Sequence, residues 1–393
     1  MASIIRKGKT PFPPPGIGAE VGEIVTVSNG FLGDWAYVWR KRNPGHPKRV
    51  SSPDLIYRGI DTNRLSPSDE KDPMGVPMQL LKGDEANIYL SKRSDRMPYV
   101  TKDVDGHQIR FYHRGRFILE TELGRLSVSQ GDFVVIPRGV FFRETPLTRE
   151  NSVLIFEVEQ PVLPAERLWD KAGFSGLFID YSLMELPVPD YDEKLETDQE
   201  TLALVKHDNQ YHEVVYDFDP TKDIIGWSGD PIIYKMSVWD IPGIGSTHGF
   251  LPPINNAVLY SEDLSFVFAV LRERPMPTVP APKGSYGAPT HLNDYDEIWF
   301  NHAAELAPNT DGHLWLFPRT IPHPGLKKPP EYPPNPVREM REMKLNFDVR
   351  CKLRWTDEAL RAELVDPQVS VYTSFYGAHV GVVPSEVLRY YKR

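Results

Sequence analysis

Between about residues 97 and 160 the hydrophobic and polar positions follow the rhythm of strands rather than helices. Arg110-Phe111-Tyr112-His113 leads into Gly115-Arg116-Phe117-Ile118-Leu119-Glu120-Thr121, and Gly124-Arg125-Leu126-Ser127-Val128 follows. A turn at Gln130-Gly131-Asp132 then opens Phe133-Val134-Val135-Ile136-Pro137, and Val153-Leu154-Ile155-Phe156-Glu157-Val158 reads as one more strand. Short apolar runs punctuated by glycine predict an antiparallel sandwich or barrel, because strand side chains alternate between faces and tight turns need permissive residues. From about 223 to 325 β-type text returns, in Ile232-Ile233-Tyr234, in Leu264-Ser265-Phe266-Val267-Phe268-Ala269-Val270 and in Glu297-Ile298-Trp299-Phe300.

The rest of the chain is connection. Residues 1–20 read as an extended arm, since proline in Pro11-Phe12-Pro13-Pro14-Pro15-Gly16 fixes φ and removes donors. Residues 164–222, polar and acidic as in Asp190-Tyr191-Asp192-Glu193, read as a connector with irregular or helical structure. Residues 326–336 are proline-dense and predict a loop. Residues 337–363 predict one short helix, Thr356 to Leu364, with Asp357 and Glu358 in the first turn, where the helix dipole favours negative charge.

The two β regions share a repeat. Gly131-Asp132-Phe133-Val134-Val135-Ile136-Pro137-Arg138-Gly139 matches Gly312-His313-Leu314-Trp315-Leu316-Phe317-Pro318-Arg319-Thr320, with glycine and proline six apart in both. This resembles the cupin pattern, a small β-barrel, occurring twice. The expected fold is mainly β and bicupin-like: two β-sandwich or jelly-roll domains with few short helices. Residues 1–218 would form the N-terminal β domain with its connector, and 219–393 the C-terminal cupin domain. The copies differ at one point. Ile321-Pro322-His323 follows Pro318-Arg319-Thr320, whereas Val140-Phe141-Phe142, without histidine, follows Pro137-Arg138-Gly139. The first copy is therefore read as structural.

Composition narrows the function classes. The chain has 393 residues, enough for two domains with sizeable cores. Its net charge of −9 and lack of a basic stripe argue against nucleic acid as a partner. Cys351 is the only cysteine, which excludes an intrachain disulfide and thiolate metal sites and fits a reducing cytoplasm. Met1-Ala2-Ser3-Ile4-Ile5-Arg6-Lys7 lacks the long apolar core of a signal peptide, and no run reaches the length of a membrane span.

The candidate chemistry sits in the second repeat. His291 and Glu297 are six apart, so they share a strand face if the strand is continuous, although Asn293-Asp294-Tyr295 has the look of a turn. His323 stands where the cupin pattern places its last histidine. Two histidines and one carboxylate on one face suit non-haem Fe(II), leaving positions for O₂ and substrate. Zinc accepts the same set, and the fold context favours iron. His248, in the glycine-flanked Ser246-Thr247-His248-Gly249-Phe250, and Glu262 are candidate acid/base groups. Tyr295 and Arg319 could bind a substrate phenol or carboxylate, with Phe317 and His302 as further candidate lining residues. His302 is five after Glu297, on the opposite parity. His113 reads as structural, and His313 as facing outward.

These residues resemble the homogentisate 1,2-dioxygenase family. The supporting text is Asp223-Ile224-Ile225-Gly226-Trp227-Ser228-Gly229-Asp230, Gly124-Arg125-Leu126, Ile136-Pro137-Arg138-Gly139-Val140-Phe141-Phe142 and Asp34-Trp35-Ala36-Tyr37. The metal motif is the most specific part: His291, Glu297, then Thr320-Ile321-Pro322-His323-Pro324-Gly325. The likeness runs over most of residues 30–330. It implies a two-domain β-rich subunit, Fe(II), O₂-dependent cleavage of a para-dihydroxylated ring, a small aromatic substrate and a homo-oligomer. The chain departs from the family pattern as well. The family's proposed acid/base histidine has no counterpart in Tyr260-Ser261-Glu262-Asp263-Leu264-Ser265, and Phe317 stands where a substrate-contacting histidine is expected. The family's substrate-contacting tyrosine also has no clear counterpart. The departures imply a paralogue with a changed substrate. A cupin oxygenase or isomerase on a non-aromatic substrate, and a non-catalytic bicupin binding protein, are the alternatives.

Overall fold

The structure is a computed structural model that describes residues 22–42, 44, 49–165, 178–189, 199–247, 251, 253–275, 290–303, 310–323, 339–340 and 343–364. The proline-rich arm, the acidic run near 190, His248 and the proline-dense 326–336 lie outside the described residues.

The first half of the chain contributes β1 (Gly22–Val27), β2 (Trp35–Arg40), β3 (Arg58–Asp61), β4 (Met78–Lys82), β5 (Ala86–Ser91), β6 (Val100–Asp103), β7 (His107–Arg114), β8 (Phe117–Thr121), β9 (Gly124–Val128), β10 (Asp132–Ile136), β11 (Phe142–Pro146), β12 (Ser152–Val158) and β13 (Leu163–Pro164). The second half contributes β14 (Thr201–His207), β15 (Gln210–Tyr216), β16 (Tyr234–Ser237), β17 (Ala257–Tyr260), β18 (Phe266–Leu271), β19 (Arg274–Pro275), β20 (Thr290–Leu292), β21 (Asp296–Asn301), β22 (His313–Phe317), β23 (Glu339–Met340), β24 (Lys344–Val349) and β25 (Arg354–Trp355). One short helix, α1 (Asp357–Leu360), follows, capped by the Thr356 hydroxyl accepting from Ala359 N–H.

The first barrel joins a seven-stranded sheet, β16-β10-β7-β12-β5-β4-β25, to a six-stranded one, β15-β14-β6-β11-β8-β9. The second is built on β13-β17-β18-β24-β21-β22-β3, with the three-stranded sheet β2-β1-β20 beside it. The sheets run across the boundary near residue 218, for β1 and β3 lie with the second barrel and β16 lies with the first. Gly59 makes the β3 contact possible: a Cβ there would fall 2.3 Å from the Trp315 ring.

The principal core lies between the barrels. The two seven-stranded sheets face each other, with Phe156 on Phe347, Phe133 on Phe268 and Phe111 on Phe300. Strands such as β12, β21 and β24 are therefore buried on both faces. One face of β24, Leu345, Phe347 and Val349, joins this core. Lys344, Asn346 and Asp348 alternate with them onto the other face.

Two parts of the sequence reading need correction. The 164–222 connector contains the β14–β15 hairpin, closed at Asp208 and Asn209, whose φ values of 52° and 58° suit a two-residue turn. The 337–363 stretch contains β24 as well as the helix, and β24 supplies part of the site described next. Among the described residues no helix is long and apolar enough to cross a membrane.

Candidate metal centre

His291 and Glu297 do not share one continuous strand. His291 sits on β20, which runs parallel to β1 with Val25 opposite it, and Glu297 sits on β21 in a different sheet. The intervening turn, pinned by Asn293 Oδ1 accepting from Tyr295 N–H at 2.7 Å, brings the two side chains together. His323 arrives through a backbone bridge to His291, N–H to carbonyl at 2.8 Å in both directions. The turn, and not a shared strand face, therefore brings His291 to Glu297.

The donor atoms of His291, Glu297 and His323 all lie within 4.8 Å of one another, and all three residues are buried. Glu297 Oε2 is 2.9 Å from His323 Nε2 and 3.5 Å from His291 Nε2. Burial opposes charge on Glu297, but the two imidazoles outweigh it and hold the carboxyl below its usual range. The His323 Nδ1 lies 2.7 Å from Ile321 O, which can only accept, so Nδ1 carries a proton, and Nε2, which shares a hydrogen with Glu297 while no metal is bound, is the nitrogen that would bind one. Two imidazole nitrogens and one carboxylate oxygen, converging in a buried place, fit a divalent transition metal.

The strand registers show what became of this site in the first barrel. Glu297 pairs with Phe317 and Asp348, and Gln108 pairs with Ile136 and Glu157. His291 bridges His323, and Thr101 pairs with Phe142. Thr101, Gln108 and Phe142 thus occupy the three ligand positions, and that barrel holds buried ion pairs instead. Arg110 forks onto Glu144 at 3.1 and 2.7 Å, while Lys206 reaches Glu157 at 2.5 Å.

Around the second-barrel cluster the lining is aromatic. Phe317 stacks on His323 at 4.4 Å and 24°, and Phe31 lies 5.3 Å from His291. Phe31 sits at the tip of the β1–β2 hairpin in a left-handed conformation, φ 74°, after Asn29 and Gly30, which are also left-handed. The tip is clasped by Tyr295, whose hydroxyl lies 2.5 Å from Leu264 O and 3.0 Å from Asn29 Oδ1. A Cβ on Gly30 would come within 2.8 Å of the Tyr295 ring.

The remaining sequence-derived candidates fall in different places. Tyr295 is buried and holds this hairpin, rather than facing an open pocket. The Arg319 guanidinium lies 3.1 Å from Asp296 Oδ1, on the turn that carries His323. Glu262 is exposed in a turn. His302 lies on the opposite face of β21 from Glu297, against His113 in the inter-barrel core, and so does not line the site. His313 is half-buried rather than outward-facing. His248 is outside the described residues.

Phe31, Trp299, Asn346 and Asp348 were not among the residues the sequence offered for the site. Trp299 Nε1 and Asn346 Nδ2 both donate to Glu297 Oε1. Asp348, the cross-strand partner of Glu297, is fully buried, and burial and the neighbouring carboxylate push its pKa well above the usual range. The strict alternation Lys344-Leu345-Asn346-Phe347-Asp348-Val349 was the available signal for this strand.

Residues 77–238 match the family model described as homogentisate 1,2-dioxygenase N-terminal. The Saccharolobus solfataricus protein named "Putative dioxygenase SSO1533" is 28% identical over 264 residues, covering 63% of this chain and 65% of that protein. The match therefore spans about 65% of the relative's length. Among solved structures, a cupin 2 conserved barrel domain protein from Leptotrichia buccalis aligns at 12% identity over 77% of this chain and 97% of that one, with a TM-score of 0.34. A cupin-2 domain protein from Shewanella frigidimarina aligns at 17% identity over 21% of this chain and 79% of that one, with a TM-score of 0.19.

Proposed function

We propose that this chain, a homogentisate dioxygenase-like member of the cupin family, is an Fe(II)-dependent dioxygenase that opens the ring of a hydroquinone-like aromatic, such as homogentisate, gentisate or a relative. The observation that carries the reading is the buried convergence of His291, Glu297 and His323. Iron held by these residues would supply the redox chemistry that joins an electron-rich ring to O₂. Both oxygen atoms enter the product, so no external reductant is needed.

The protein's own part follows from the site. Three protein ligands would leave a bound metal with positions for both substrate and O₂. Ile321 O fixes the His323 tautomer. Phe31 and Phe317 wall the imidazoles with apolar rings, which excludes water and suits an aromatic substrate. The absence of histidine at position 317 favours a substrate other than homogentisate itself.

The test is oxygen uptake by iron-loaded protein on a panel of para-diphenols, with mass spectrometry of the product. Uptake matched by a product gaining both atoms of O₂ supports the reading. Iron-loaded protein that consumes no O₂ with any member of the panel overturns ring cleavage and leaves a non-aromatic substrate or a binding role.

A further inference from the structure

The carboxylate of Glu297 is divided between two tasks. Its Oε2 faces both histidines, 2.9 Å from His323 Nε2 and 3.5 Å from His291 Nε2. Its Oε1 accepts from the Trp299 indole N–H and, at 3.0 Å, from the Asn346 amide. Trp299 and Asn346 are cross-strand partners on β21 and β24, and both are buried, so strand register and close packing hold their side-chain donors in place. The first barrel offers an internal comparison. There Arg110 stands at the Trp299 position and Ile155 at the Asn346 position, opposite each other in the β7–β12 register. Arg110 still donates to Gln108 Oε1 at 2.8 Å, the group at the Glu297 position, whereas Ile155 offers no donor, so the barrel without the three ligands keeps one of the two donors and lacks the other.

We infer that Trp299 and Asn346 are positioning residues that make Glu297 a one-oxygen ligand. The inference rests on the metal reading of His291, Glu297 and His323. An oxygen that accepts two N–H groups has its lone pairs occupied, so Oε1 is withheld from a cation bound by Oε2. A carboxylate that bound through both oxygens would take up one of the positions that substrate and O₂ need. The two donors thereby protect the open side of the site without touching the metal or the substrate.

The experiment uses full-length protein stripped of metal and titrated with Co²⁺, whose visible absorption reports coordination number. The variants are W299F, which keeps an aromatic ring, and N346L, which keeps side-chain volume. They remove donation to Oε1 by different routes, so a folding defect in one, read by near-ultraviolet circular dichroism, leaves the other to decide. Each variant is expected to bind one Co²⁺ about 10- to 100-fold more weakly than wild type. The visible bands should also weaken as the second carboxylate oxygen joins the metal. Folded variants with wild-type affinity and an unchanged spectrum would overturn the inference. Wild-type protein that binds no Co²⁺, or binds it equally well as E297A, would instead overturn the metal reading beneath it. Wild type that binds Co²⁺ but, loaded with Fe²⁺, consumes no O₂ would overturn only the reaction.

Discussion

His113 and His302 meet Nδ1 to Nδ1 at 2.9 Å in the core between the two barrels. They stand at matched positions of the repeats, each two residues beyond a phenylalanine that pairs into the neighbouring strand, Phe111 with Phe133 and Phe300 with Leu314. The ring contacts are reciprocal: Phe111 is edge-on to His302 at 4.8 Å, and His113 is edge-on to Phe300 at 4.9 Å. Such exchange of partners is what a local two-fold between duplicated units produces. A single hydrogen between the two Nδ1 atoms requires opposite tautomers in the two rings. Neither Nε2 has a hydrogen-bond partner among the described residues.

This pair predicts acid sensitivity. Burial lowers the His302 pKa from 6.5 to about 4, with Arg114 adding to the effect and Asp311 opposing it. Burial, then His302, Arg114 and Lys92, push His113 well below 6.5. Both groups are neutral in the fold and titrate near 6.5 when unfolded, so the unfolded chain binds more protons below that pH. Their contribution is fully present above 6.5 and is lost as pH falls from there toward 4. Each titrating imidazole should remove about 1.4 kcal/mol per pH unit in that window. The check is denaturant unfolding between pH 7 and 4.5 on wild type and on H113L/H302L. The double variant should flatten the profile, because it removes both titrating groups and both buried unpartnered nitrogens. An equally steep profile in that variant would assign the acid sensitivity elsewhere.

The metal centre predicts a ligand-linked rise in stability. A metal that binds the native cluster and not the unfolded chain stabilises by about 2.7 kcal/mol at a hundred times its Kd. Thermal melts of metal-free protein with and without Fe²⁺, under anaerobic conditions, should show this shift in wild type. H291A, E297A and H323A should lose it, since two ligands hold a metal far more weakly than three. A full shift in any of them would remove that residue from the ligand set.

How much of this could be read from the chain depended on which face a residue served. Leu154, Phe156 and the Phe266–Leu271 run were legible as strands because apolar runs bounded by turns admit few other readings. The His291, Glu297 and His323 set was legible because its spacing sits inside a repeat that can be compared with itself. The β14–β15 hairpin was not recognised, although Asp208-Asn209 between alternating residues is a turn signal, because its outer strand is exposed and carries little apolar text. The His113 contact with His302 was beyond reach, since residues 189 apart meet only where the two barrels pack together. Asn346 was overlooked for a related reason: a polar residue within a strand reads as solvent-facing until a buried partner such as Glu297 is known.

The first barrel, which lacks the ligands, predicts a different kind of fragility. Arg110 and Glu144 form a buried pair with side chains 2% and 0% exposed, and the Tyr112 hydroxyl also donates to Glu144 at 2.6 Å. Removing one partner strands a buried charge, so R110M should destabilise by about 3–5 kcal/mol. R110M/E144L removes both charges and should recover much of that loss. Equilibrium unfolding of the two variants at neutral pH measures the difference. A double variant no more stable than R110M would mean that the pair contributes through packing, not through charge compensation.

Phe31 allows backbone strain and ring packing to be separated. Its left-handed φ of 74° is uncomfortable for any residue with a Cβ, while its ring is buried against His291. Loss of a buried phenylalanine ring typically costs about 3–5 kcal/mol, so F31A and F31G should both be much less stable than wild type. In extended backbone, glycine would be the worse of the two by about 0.5–1 kcal/mol. Here the order should reverse, with F31G the more stable by about 1 kcal/mol, because only glycine adopts the left-handed region without strain. Denaturant midpoints of the two variants decide the order, and F31A equal to or above F31G would show that position 31 stores no strain. Both variants should also bind Co²⁺ more weakly than wild type, since the wall that fixes the His291 ring is gone. Co²⁺ affinity unchanged in either would limit Phe31 to closing the hairpin over the barrel.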